Sequence, residues 1–212
     1  MKTIHRILGL AALLIGLAGP AAEAKTTGSV EVMGGDKTTL LDVKVSGELA
    51  PKVKIFSRGK TSIDYANSKE VRYFGLVDIA RELGSGFDVV AEVQFIQGVG
   101  PVPRLGVQYF GQKGGFSGYG LITGKIDQDS NLGLVADLRY KHRLSEALAV
   151  SLGVEEVTSL GSKGHEFSTQ SIRTGLEIEG FHFGPAVDLI EVGQGKKLQF
   201  GYNVGGFLRK DF

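Results

Sequence analysis

Downstream of position 24, the residues able to do chemistry are three histidines, His142, His165 and His182, and many lysines, arginines and carboxylates spaced two apart. His165 stands three residues before Ser168 with Glu166 between them, in the stretch GSKGHEFSTQ. A serine hydroxyl becomes a nucleophile only when a base lies within about 3 Å. With such a base in reach, a Ser and a His could hydrolyse an ester. The simpler reading of this stretch is a polar loop. His142 precedes Arg143 and reads as a solvated turn residue, and His182 reads as a hydrogen-bonding group beside Asp188. There is no Gly-x-Ser-x-Gly, no His-Glu-x-x-His and no phosphate-binding loop. The residues therefore point to no enzyme, no metal and no cofactor. Beyond position 24 there are 22 basic and 22 acidic residues, so no excess of positive charge calls for a nucleic acid partner.

The alternating charges are more informative. Lys54, Arg58, Lys60, Arg72, Asp78, Glu92, Arg104, Asp137, Arg139, Arg173, Glu177, Asp188 and Arg209 all take the polar phase of segments whose other phase is apolar. Asp42, Lys44 and Glu155 share it. Charges of both signs on an inward face have two uses. They can pair and brace a closed interior, or they can line a water-filled pore and set its selectivity.

Such a face requires strands. From Asn131 to Lys141 the apolar phase is Leu132, Leu134, Ala136, Leu138 and Tyr140, with Val135 as the one apolar residue out of phase. Leu148, Val150, Leu152 and Val154 oppose Ala149, Ser151, Gly153 and Glu155. Phe181, Phe183, Pro185, Val187 and Leu189 oppose His182, Gly184, Ala186 and Asp188. A period of two is that of a pleated strand and not of a helix. Leu76–Gly84 could be a short helix, but Val77 and Ile79 continue the face of Val71 and Tyr73. Ser117–Ile126 has no decisive face. The segments have the length that a tilted membrane strand needs, about ten residues. The expected fold is all-β: an antiparallel up-and-down transmembrane barrel of 12 strands, or 10 if the weak first and sixth segments are not spans. Interior glycines such as Gly106, Gly133, Gly175 and Gly184 would leave room in the lumen.

Residues 1–24 read as a cleaved signal peptide, with Lys2 and Arg6, the apolar run Ile7–Gly19 and Ala22-Glu23-Ala24 before the cut. Residues 25–212 would form one barrel domain. The chain has no Cys, so no disulfide supports an exported fold.

The last segment, LQFGYNVGGFLRKDF, puts Leu198, Phe200, Tyr202, Val204, Leu208 and Phe212 in one phase. It resembles the terminal strand of Gram-negative outer-membrane proteins, whose final aromatic residue is read by the barrel-assembly machinery. Lys210 stands where an apolar residue is usual in that pattern. The segments FSRGKTSIDY, RLGVQYF and YNVGGFLRKDF are similar to a group of uncharacterised, porin-like bacterial outer-membrane barrel proteins. That resemblance implies a barrel, outer-membrane lipid as surroundings and the assembly machinery as a partner, with no activity and no oligomeric state attached. Small 12-strand oligosaccharide porins are alike in size. The expected function is a passive channel with a mixed-charge lumen. Alternatives are a closed structural or interaction barrel, a lipid-modifying barrel enzyme and a soluble periplasmic binding barrel.

Overall fold

The computed structural model describes residues 26–66, 71–127, 131–194 and 197–212. The expected signal peptide lies outside the described residues. Twelve strands follow one another: β1 (Thr27–Gly35), β2 (Thr38–Ala50), β3 (Val53–Asp64), β4 (Val71–Gly84), β5 (Phe87–Ile96) and β6 (Gly100–Lys113). The second half comprises β7 (Phe116–Lys125), β8 (Asn131–Arg143), β9 (Leu148–Gly161), β10 (Gly164–Ile178), β11 (Phe181–Gln194) and β12 (Lys197–Asp211). Each pairs antiparallel with its sequence neighbours, and β1 pairs with β12, so the sheet closes on itself. Closure leaves no strand edge to pair with another chain.

The register carries one phase around the whole ring. Asp42 faces Lys60 across β2–β3, and Asp78 faces Glu92 across β4–β5. Asp137 faces Glu155 across β8–β9, and Glu31 closes the circuit between Arg209 and Asp42. This phase points inward. The other points outward and is apolar: Phe200 is 77 % exposed and Leu138 63 %. Exposed apolar surface so extensive and so regular is foreign to a soluble monomer.

Ten strands are excluded, because β1 and β7 both hydrogen-bond on two sides. The Leu76–Gly84 stretch is strand, within β4. Ser117–Ile126 had no decisive face for a reason the interior supplies. Tyr119 and Leu121 of β7 point inward and pack with Ala80, Val90 and Val135 in an apolar plug. Val135, the out-of-phase residue of β8, belongs to the same plug. A second apolar cluster joins Met33, Leu40, Ala186 and Phe207.

Two expectations need correction. The loop expected around GSKGHEFSTQ shrinks to a turn at Ser162 and Lys163, because β10 starts at Gly164 and not at Thr169. The interior glycines do not simply leave room. A Cβ at Gly175 or Gly184 would lie about 2 Å from the neighbouring strand's carbonyl oxygen, so these glycines allow close backbone approach at a bend. At Gly133 the Arg104 guanidinium occupies the space beside the backbone.

Candidate functional site in the barrel lumen

All thirteen charged positions singled out from the alternation take the inward phase, but they do different work there. Arg58 on β3 is the centre. Its Nε donates to Asp42 Oδ1 at 3.0 Å and its Nη2 to Asp42 Oδ2 at 2.6 Å. The same Nη2 donates to Glu155 Oε1 at 2.7 Å, and Lys44 Nζ donates to Glu155 Oε2 at 2.8 Å. In the ring order β9 lies six strands from β3 in either direction. The Arg58–Glu155 contact therefore crosses the full width of the barrel and narrows the lumen at that level. A guanidinium suits this role, because its planar fork can hold two carboxylates at once.

Beside this bridge lies a cavity of about 270 Å³. Arg58, Lys60, Asp137, Arg139, Arg173, Glu177 and Arg209 border it. Arg139 is clamped by Asp137 two residues earlier, at 2.6 Å. Arg173 reaches Glu31 at 2.8 Å and Asp188 at 2.9 Å, so it ties β10 to β1 and β11. Lys141 and Glu177 pair at 2.5 Å. Arg209 meets Asp211 at 2.7 Å, and His182 Nε2 lies 2.9 Å from Asp211 Oδ2. Lys60 lines the cavity with no hydrogen bond or ion pair among the described residues. Seven basic side chains and six carboxylates border the space, a near balance that favours neither ion sign strongly.

The remaining positions lie elsewhere. Asp78, Glu92 and Arg104 are buried on the β4–β8 side, around the apolar plug. Arg104 lies 3.4 Å from Glu92 and donates to Thr123 and Asn131. Lys54 sits near the rim that carries the termini, 3.3 Å from Asp88. Arg72 faces Ser62 near the opposite rim. The sequence reading did not single out Glu31, Asp88, Gln108 or Asn203, which complete these networks. Asn203 is a case in point. Its Oδ1 accepts the backbone N–H groups of Lys37 and Thr38 across the β1–β12 seam. It fits there only because Gly35 has no side chain. Gly35 carries no polarity, so alternation could not reveal the pairing.

Among the described residues no group of three or more His, Cys, Asp or Glu side chains is placed to hold a metal ion. Lysine and arginine side chains interleave the carboxylates throughout the lumen.

No family model matches the chain, and no curated protein does. Solved structures do. A KdgM porin is 10 % identical with a TM-score of 0.50, covering 88 % of this chain and 99 % of its own. A KdgM porin in complex with disordered oligogalacturonate is 11 % identical, with the same score and coverage. At this identity the likeness establishes the fold alone: the chain is similar in architecture to the KdgM porin barrel.

Proposed function

We propose that the protein is an outer-membrane barrel that passes small polar solutes through a narrow, ion-bridged lumen. The observation that carries this reading is the charged cavity inside a closed barrel whose outward phase is apolar. Ionised groups inside a dry interior are costly. A cavity of this size, bordered by so many of them, is one that water fills. Export through a leader cut after Ala24 and assembly into outer-membrane lipid complete the proposal. The fold shared with a porin supports it, and the near balance of charge argues for a passive channel of weak ion preference.

A second reading has its own observation. The Arg58–Glu155 bridge and the Ala80–Val90–Leu121 plug occupy much of the lumen, as they would in a barrel that stays closed and serves as a structural or docking element. Single-channel recording of the folded protein in planar bilayers separates the two. Discrete conductance steps are the expected result; an inserted but silent barrel would establish the second reading in place of the first.

A further inference from the structure

Among the described residues the outward face is mostly apolar, and a polar patch that includes two carboxylates interrupts it on β9, β10 and β11. In register across these strands lie Thr158, Ser168 and Glu191, with Glu156 and Gln170 in the next row. Leu134 flanks the first row on β8 and Phe200 on β12. Val154, Ile172 and Val187 close it toward the barrel middle. Glu156 and Glu191 are carboxylates in the outward phase of the sheet, Glu156 five residues and Glu191 three residues from the ends of their strands. A charge on that face is costly, so a patch that keeps two has a reason to do so.

The second observation is a β-bulge. In a regular strand residues three apart point to opposite faces. Between His165 and Phe167 the β9–β10 register skips a residue. Glu166 turns to the lumen, where its carboxylate accepts from Asn131 and Ser159. His165 consequently shares the outward face with Ser168. Bulges re-aim side chains in this manner beside functional sites. His165 Nε2 lies 2.8 Å from Ser168 Oγ, and His165 Nδ1 lies 4.0 Å from Glu191 Oε1. Thr158 Oγ1 stands 2.9 Å from Ser168 Oγ and donates to Glu156. The neighbouring carboxylate is thus Glu191, from another strand, and not Glu166 from the adjacent position.

The geometry points to a Ser168–His165–Glu191 ester-hydrolase site on the outside of the barrel, acting on acyl esters of bilayer lipids. The choice of a lipid ester rests on the membrane location proposed above; the nucleophile itself does not. Ser168 Oγ attacks the ester carbonyl carbon while His165 Nε2 takes the hydroxyl proton. The C–O bond to the alcohol breaks, and His165 returns the proton to that leaving oxygen. Water then attacks the acyl-serine, again losing its proton to His165. Fatty acid is released and the serine proton is restored. Ester and water become acid and alcohol, with no change of oxidation state. Glu191 is a positioning residue: it favours the tautomer that carries the ring proton on Nδ1.

The test uses the full barrel folded in detergent, with phosphatidylethanolamine mixed micelles and, separately, p-nitrophenyl butyrate as probes. Expected are fatty acid release, hydrolysis of the soluble ester and covalent labelling of Ser168 by a fluorophosphonate. S168A abolishes all three, and H165N lowers the rate by about 100-fold or more. E191Q lowers kcat with KM unchanged. Folded protein that hydrolyses neither ester and leaves Ser168 unlabelled overturns the site, as does S168A with undiminished turnover. Hydrolysis of the soluble ester alone keeps the nucleophile and overturns the lipid substrate. Conductance of S168A in bilayers should equal that of the unaltered protein, so a failure of the channel reading is read separately.

Discussion

Glu155 narrows the lumen, because among the described residues it is the β9 side chain that reaches both Arg58 and Lys44 on the far side. Replacing it with Gln removes the charge that holds these cations and leaves Arg58 to Asp42. Single-channel conductance of E155Q should exceed that of the unaltered protein, at a cost in stability of about 2 kcal/mol for the lost charged hydrogen bonds. An unchanged conductance would place the narrowest point elsewhere. Lys60 tests selectivity, since it borders the cavity without an ion-pair partner among the described residues. Lys60→Glu should shift the reversal potential in a salt gradient toward cation preference. These side chains were legible as inward charges from their spacing alone. Their partners were not, because β3 and β9 meet across a lumen that periodicity within one strand does not describe.

At the scale of elements, the seam between β1 and β12 has the most particular requirements. Phe212 and Gly28 exchange backbone hydrogen bonds, 2.8 and 3.0 Å long. A Cβ at Gly28 would stand 2.6 Å from the Phe212 ring and 2.7 Å from the Lys44 carbonyl oxygen. Gly28→Ala and Phe212→Ala should therefore both reduce the folded, heat-modifiable fraction, measured by the electrophoretic shift between unheated and boiled samples. Lys210, out of keeping with a terminal apolar pattern, has a local explanation. Its ammonium lies 4.0 Å over the Phe181 ring and donates to the Glu179 carbonyl at the rim, so the stem covers apolar surface while the charge stays at the edge. Strand β10 shows where a sequence reading stops. Its alternation is clear from Thr169 onward, but the bulge before it breaks the period. His165 and Ser168 therefore read as residues of a polar loop, and a two-residue repeat cannot announce the place where it is violated.

For the whole molecule, the outward apolar phase and the inward charged phase belong to one surface inversion, and each strand carries both. A count of twelve strands, with ten as the alternative, was legible because most outward faces are largely apolar. The weak β7 face came from the plug, where inward residues are apolar as well. If the outward phase meets lipid, Leu138→Arg should block insertion, since an arginine near the bilayer midplane costs roughly 2–4 kcal/mol. Asp137→Asn, one residue away on the lumen side, should assemble nearly normally. The chain lacks cysteine, which allows the most direct test. Single cysteines placed along β8 from Gly133 to Lys141, with the barrel in lipid vesicles, report which positions react with a small, charged thiosulfonate. Reaction at 137, 139 and 141, with protection at 134, 136, 138 and 140, is the predicted result. Uniform reactivity, or reaction confined to the even positions, would contradict a barrel with lipid outside and water within.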